Sequence, residues 1–142
     1  MTDLLDINVW LAITDERHAH HSAAVHYWKT HAAEMTVFCR VTMLGFLRIV
    51  TQPRTATPPL SLNRAWAVYR DYLQTSGVGF LHEPAGVEEI LANLLDQPAF
   101  SHRLWTDAYL AALAIASGCR LVSFDSDFQT FDGLHFLHLK PS

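Results

Sequence analysis

The sequence predicts an α/β domain built on a mostly parallel central sheet. Two observations carry this. Short apolar runs recur along the chain, and between them lie longer segments whose apolar residues repeat at helical spacing. Alternation of this kind is the pattern of strands joined by crossover helices, with helices on both faces of the sheet in a three-layer α/β/α arrangement.

The elements follow in order. Leu4-Leu5-Asp6-Ile7 reads as a buried strand ending near Asp6. Residues 21–33 read as a helix with Ala24, Val25, Trp28 and Ala32 on one side, and Thr36-Val37-Phe38 as a second strand. Residues 40–51 place Met43, Phe46, Leu47 and Val50 on one helical stripe. The stretch 52–59 holds Pro53, Pro58 and Pro59 and reads as a loop, too short to link two domains. Ser61 is a plausible N-cap for a helix presenting Leu62, Ala65, Trp66, Tyr69, Tyr72 and Leu73, and Gly77 is a natural stop. A strand at 78–81, a helix at 87–95 and a break at Gln97-Pro98 come next. Thr106 reads as the cap of a helix over 107–117 that is apolar almost all round (Ala108, Leu110, Leu113, Ile115), the mark of a central, buried helix ended by Gly118. Leu121-Val122-Ser123-Phe124 is a strand stopping at Asp125, and 134–139 a short last strand. No internal repeat interrupts the pattern.

Composition bounds the class. With 142 residues, 50% hydrophobic and 17% charged, and mean hydropathy +0.11, the chain carries enough apolar material for one core, so a single domain over 1–142 is expected and disorder is excluded. Cys39 and Cys119 are too few for a disulfide framework. Arg40 and Arg48 interrupt the apolar stretch around 41–50, leaving no run of ~20 residues for a membrane span. The start Met1-Thr2-Asp3-Leu4-Leu5-Asp6 lacks the basic region of a signal peptide, so a cytoplasmic domain is expected.

The net charge of −4 is unevenly spread. Residues 1–34 sum to −3 and residues 71–142 to −6. Between them, residues 35–70 carry Arg40, Arg48, Arg54, Arg64 and Arg70 with no acid, a charge of +5. Solvated helix faces would account for that block; so would a polyanionic partner, whose phosphates bind Lys and Arg.

In a parallel sheet, ligands gather beyond the carboxyl ends of the strands. Asp6 and Asp125 stand at two such ends, Asp107 in the first turn of the buried helix, and Asp127 two residues past Asp125. Converging carboxylates repel and raise each other's pKa unless a cation neutralises them, and an aspartate-only oxygen site suits Mg²⁺ or Mn²⁺ rather than zinc. Each also has an ordinary structural use: Asp6 as a helix cap, Asp107 against a helix dipole, Asp125 in an Asx turn.

The wording of these segments is informative. Leu5-Asp6-Ile7-Asn8-Val9-Trp10-Leu11, Thr106-Asp107-Ala108-Tyr109-Leu110-Ala111-Ala112-Leu113-Ala114 and Gly118-Cys119-Arg120-Leu121-Val122-Ser123-Phe124-Asp125-Ser126-Asp127-Phe128 resemble the first, third and fourth signature segments of the PIN-domain family. Val41-Thr42-Met43-Leu44-Gly45-Phe46-Leu47-Arg48-Ile49-Val50-Thr51-Gln52-Pro53 resembles the second as it stands in VapC-type toxins. The resemblance spans essentially the whole chain in order and spacing. It implies a Mg²⁺-dependent endoribonuclease, the toxin of a type II toxin–antitoxin pair, in which a metal-activated water attacks a phosphodiester in line. Carried over, Asp6, Asp107 and Asp125 are the catalytic acids and metal ligands, and Asp127 a further ligand or shaper of the local field. Asn8 orients Asp6 or a water, or caps a helix, and Ser123 supports the site. Arg48 and Arg64 are candidate RNA contacts. A VapB-type antitoxin covering apolar helices of the N-terminal half, an RNA substrate and a homodimer are the implied partners.

Gly45 departs from the pattern, because many family members have a glutamate there. Glycine in a helix costs ~1 kcal/mol relative to alanine, so it serves something other than helix stability. Close packing against another element is one explanation; room for substrate or a second metal beside Asp6 is the other. A catalytically silent PIN domain that binds RNA or a protein partner is the alternative function this departure motivates. A haloacid dehalogenase-type phosphatase needs a second aspartate where Asn8 stands, and no glycine-rich phosphate loop follows the first strand.

The remaining signals are weaker. His18, His20 and His21 read as a solvated cluster, and His26 and His31 as partly exposed helix residues. The four tryptophans fall mostly on core stripes. His102 and Arg103 precede Asp107 closely enough to border a cleft.

Overall fold

The computed structural model describes residues 1–53 and 58–141, so Arg54 and the centre of the proline-rich loop lie outside the described residues. Five strands, β1 (Thr2–Leu5), β2 (Met35–Phe38), β3 (Val78–Phe80), β4 (Arg120–Ser123) and β5 (Phe136–His138), form one sheet in the order β3-β2-β1-β4-β5. Every pairing is parallel, so all five carboxyl ends lie on one edge.

Among the described residues, six helices cover the two faces: α1 (Ile7–Thr14), α2 (His21–Thr30), α3 (Arg40–Val50), α4 (Leu62–Gln74), α5 (Val87–Leu94) and α6 (Trp105–Ser117). Side chains alternate across a strand, and β1 divides its leucines accordingly. Leu4 joins Val37 and Leu121 in a core closed by α5 and α6. Leu5 joins Phe38, Val78 and Val122 in a second core closed by α1 to α4, where Trp10 stacks on Phe38 with ring centroids 3.8 Å apart. The three layers expected from the sequence are therefore present. No helix among the described residues is long and apolar enough to cross a membrane, and both cysteines are buried and free.

Several element boundaries differ from the sequence reading. A separate helix, α1, follows β1 directly, and α2 ends at Thr30 rather than near residue 33. Thr106 does not cap α6: the helix begins at Trp105, after a 3₁₀ turn over His102–Leu104, and Leu104 holds the cap position without a side-chain bond. Ser61 does cap α4, its Oγ accepting from the Arg64 N–H at 3.1 Å. The stripe expected on α4 is only partly buried; Ala65 and Tyr69 face the core while Leu62 and Trp66 stay exposed. Trp105 is also exposed, so the tryptophans are not mostly core residues: Trp10 alone of the four is fully buried.

A buried ion pair ties β1 to β4. Asp3, fully buried, accepts from Arg120 Nε and Nη2, both at 2.8 Å, from the Tyr27 hydroxyl at 2.6 Å and from the Ala33 N–H at 3.0 Å. It lies at the amino end of the sheet, opposite the edge that bears the other aspartates.

Candidate active site

The site forms where β1 and β4 end side by side. The register pairs Leu5 with Val122, and the Asp6 N–H continues the ladder to the Val122 carbonyl at 2.9 Å. Asp6 then caps α1: Oδ1 accepts from the Ile7 N–H at 2.8 Å. Its other oxygen, Oδ2, accepts from Ser123 Oγ at 2.7 Å. The capping role expected of a structural aspartate and a position at the sheet edge thus coexist in one residue. Burial pushes the Asp6 carboxyl up from its usual range, the bonds from Ser123 and Ile7 pull it down, and Asp125 pushes it up again.

Ser123 is the hub. Fully buried, it also accepts from Asn8 Nδ2 at 3.2 Å and from the Asp125 N–H at 2.9 Å. Asn8 is inside α1 rather than at its cap, and its Oδ1 accepts from the Phe124 N–H at 3.4 Å. Asn8 therefore acts on Asp6 through Ser123. Asp125 caps a 3₁₀ turn over Ser126–Thr130, its Oδ1 accepting from the Asp127 N–H at 2.9 Å, and the turn carries Asp127 round to the same side.

Asp107 stands in the first turn of α6. It, Asp125 and Asp127 each offer one carboxylate oxygen, and the three atoms lie within 4.8 Å of one another. Asp6 is outside that triplet but within electrostatic reach of Asp107 and Asp125. Burial, then the charges of Asp6, Asp125 and Asp127, push Asp107 up to about 7. Four acids gathered on one edge, one of them holding its proton near neutrality, form a site under like-charge tension that a cation relieves.

Comparison with known proteins fits this geometry. The model of the PIN domain family matches residues 4–134. The chain belongs to that family. This PIN domain is 34% identical over 138 residues to ribonuclease VapC41 of Mycobacterium tuberculosis, covering 92% of this chain and 94% of the relative. It is 34% identical over 127 residues to ribonuclease VapC39 of the same species, covering 89% and 90%. Among solved structures, it superposes on VapBC2 from Rickettsia felis, bound to a DNA fragment from its promoter, with TM-score 0.71 at 13% identity, covering 99% and 100% of the two chains. The sarcin-ricin loop cleaving toxin VapC20 of M. tuberculosis gives TM-score 0.64 at 19% identity over 93% and 98%. At these identities the structures speak for the fold alone.

The remaining residues singled out in the sequence take different places in the PIN domain. Arg48 and Arg64 lie on α3 and α4, are exposed, and make no ion pair with a carboxylate among the described residues. Arg48 lines a cleft with Leu44, Leu47, Leu62 and Trp66. His102 and Arg103 are exposed in the turn before α6. The histidine cluster is not simply solvated: His20 stacks on Phe124 with centroids 4.6 Å apart, and His21 Nδ1 lies 2.7 Å from the Ala12 carbonyl. The space beside Gly45 is not open either. A Cβ there would collide with Ile7 Cδ1, so α1 packs directly onto α3 at the glycine. The sequence does not foretell the bond from the Tyr109 hydroxyl to Glu83 Oε1 at 2.5 Å, which joins α6, half a turn past Asp107, to the loop after β3. Nothing in the spacing of those two residues signals it.

Proposed function

We propose that this PIN domain is a Mg²⁺-dependent endoribonuclease, the toxin of a VapBC-type toxin–antitoxin pair. The observation that carries the reading is the meeting of Asp107, Asp125 and Asp127 beside Asp6 at the carboxyl edge of the sheet. The similarity to ribonucleases VapC over nearly the whole chain supports it.

The donor set fits a hard divalent cation. The group consists of aspartates alone, without histidine or cysteine, which favours Mg²⁺ or Mn²⁺ over zinc. Asp6, Asp107 and Asp125 would hold the ion, with Asp127, more exposed, completing the set. When bound, the ion supplies Lewis-acid stabilisation of the phosphoryl charge and an acidified water. The chain's own residues do the rest. Ser123 fixes Asp6 Oδ2 and favours its ionised form by donating to it. Asn8 fixes Ser123. Asp125 holds the 3₁₀ turn through Oδ1 and also offers a carboxylate oxygen to the cluster. Asp107 would hold the ion as a carboxylate, because its raised pKa comes partly from acidic neighbours whose charge a cation would offset.

The exposed apolar cleft between α3 and α4, with Leu44, Leu62 and Trp66 open to solvent, supports an antitoxin that buries it. A homodimer is the assembly we infer from family resemblance, and light scattering tests it.

The deciding experiment incubates the purified protein with RNA in Mg²⁺, in Mn²⁺ and in EDTA. Cleavage with either metal and none in EDTA, abolished by Asp107→Asn, is the expected result. RNA binding without cleavage in either metal would replace the nuclease with a silent RNA-binding domain. Growth arrest on expression, relieved by the cognate antitoxin, tests the toxin role separately.

A further inference from the structure

A cation and two aromatic rings are assembled at the carboxyl ends of β2 and β3, beside the acids but outside them. Arg40 is the first residue of α3, directly after β2 and Cys39. Its guanidinium carbon lies 4.5 Å from the centroid of the Phe80 ring, and its Nη1 donates to Met43 Sδ at 3.3 Å. Phe80 closes β3, in register with Phe38 of β2, and its ring lies 4.9 Å from that of His82. Arg40 and His82 are both exposed.

The contacts of Arg40 are with a thioether and a phenyl ring, both neutral. The only ion pair among the described residues is Arg120 with Asp3, so Arg40 keeps its charge uncompensated by a carboxylate. A positive charge in the first turn of a helix also opposes the helix dipole, so helix stability does not account for it. What the contacts achieve is orientation. A guanidinium laid on a ring is already ordered, and it presents N–H groups to a phosphate and a flat face to a base.

The location supplies the ligand class. In the strand order β3-β2-β1-β4, the end of β3 is two strands from that of β1, about 10 Å at ordinary strand spacing. Glu83, which follows His82, is turned to α6, where it accepts from Tyr109, two residues after Asp107. The loop bearing His82 is thus fastened to the helix end bearing Asp107.

We propose that Arg40, Phe80 and His82 form a nucleotide subsite for single-stranded RNA flanking the acid cluster. Phe80 braces the guanidinium, Arg40 binds the backbone phosphate, and His82 offers a stacking face to the unpaired base. Single-stranded RNA fits this surface because its bases can splay onto planar side chains. The proposal rests on the RNA-directed reading above and deepens it by naming where the substrate lies.

The test is binding of a fluorescein-labelled single-stranded oligoribonucleotide in EDTA, followed by anisotropy, so that affinity is read without cleavage. Arg40→Ala and His82→Ala are each expected to weaken binding about tenfold with unchanged melting temperature. Arg40→Lys, which keeps charge but loses the plane, should recover only part of it. Phe80→Leu should weaken binding although no charge is lost. Both alanine variants binding as the wild type does, or full recovery in Arg40→Lys, would overturn the subsite. The two readings fail separately. Arg40-dependent binding by a protein that never cuts in Mg²⁺ keeps the subsite and removes the nuclease. Cleavage with an unchanged KM in both alanine variants keeps the nuclease and removes the subsite.

Discussion

Ser123 Oγ donates to Asp6 Oδ2 at 2.7 Å, joining the end of β4 to the end of β1 through two buried or half-buried side chains. Because Asn8 and the Asp125 N–H both donate to the same hydroxyl, Ser123 sets Asp6 and the start of the Asp125 turn together. Ser123→Ala removes the donor to Asp6 Oδ2 and takes from Asn8 Nδ2 the hydroxyl it donates to. On the metal-binding role proposed for Asp6, loss of a residue that orients such a ligand typically costs 10–100-fold in metal affinity. We expect Mg²⁺ affinity, measured by calorimetry, to fall by about that factor, with about 1–3 kcal/mol lost in urea unfolding. Unchanged affinity would detach Ser123 from the site.

The proton on Asp107 links stability to pH. Its pKa rises to about 7 in the folded, metal-free protein, against about 4 in an unfolded chain. Between those values the folded state binds more protons than the unfolded one, so this group's contribution to stability falls as pH rises from 4 to 7. Asp107→Asn removes the penalty. In EDTA the melting temperature of the variant should exceed that of the wild type by an amount that grows from pH 4 to pH 7 and then levels. Excess Mg²⁺ should reverse the order above pH 7, because only the wild type gains from binding. A variant advantage independent of pH would show that neither burial nor the neighbouring acids raise the Asp107 pKa.

Packing and helix propensity oppose each other at Gly45. Glycine to alanine within a helix should stabilise by ~1 kcal/mol, but the new methyl would collide with Ile7 Cδ1 and stand 3.0 Å from its Cγ1. Overpacking of this kind costs about 1–3 kcal/mol. Gly45→Ala should therefore destabilise in the wild type and stabilise in an Ile7→Ala background, a sign reversal visible in a double-mutant cycle. Stabilisation in both backgrounds would mean that Ile7 moves aside freely.

Much of the fold is legible in the sequence, for physical reasons that particular residues show. Buried parallel strands read as apolar runs, so Leu4, Val37 and Leu121 announce their strands, and Gly118 ends α6 with φ +68° as a glycine stop should. The acids are legible because each ends a strand or opens a helix. The start of α6 is not, because a 3₁₀ turn leads into the helix without a side-chain cap and leaves Thr106 as a false signal. Leu62 and Trp66 share the apolar face of α4 yet stay exposed, since periodicity shows which residues share a face, not whether a partner element covers it. In sequence Arg40 is one of the five arginines of residues 35–70 without distinction, since its neighbours Phe80 and His82 are some forty residues on and only strand pairing brings them near.

The least legible feature is Asp3, an aspartate in the same short N-terminal segment as Asp6 with a different task. Its carboxylate has all its bonds within the fold: two from Arg120, one from Tyr27 and one from the Ala33 N–H. Arg120 in turn donates to the His31 carbonyl at 2.9 Å, so the pair fastens the end of α2 to the sheet. Removing one member of a buried pair leaves the other charge uncompensated and costs about 3–5 kcal/mol. Asp3→Asn should lose about that much in urea unfolding. Arg120→Met should lose a similar amount, and the double variant less than the two losses added. Because this pair lies at the opposite edge of the sheet from the four acids, the fraction of Asp3→Asn that stays folded should bind Mg²⁺ with wild-type affinity. A loss of metal affinity in the folded fraction would show that the pair reaches the site through β1, and that Asp3 and Asp6 are not independent.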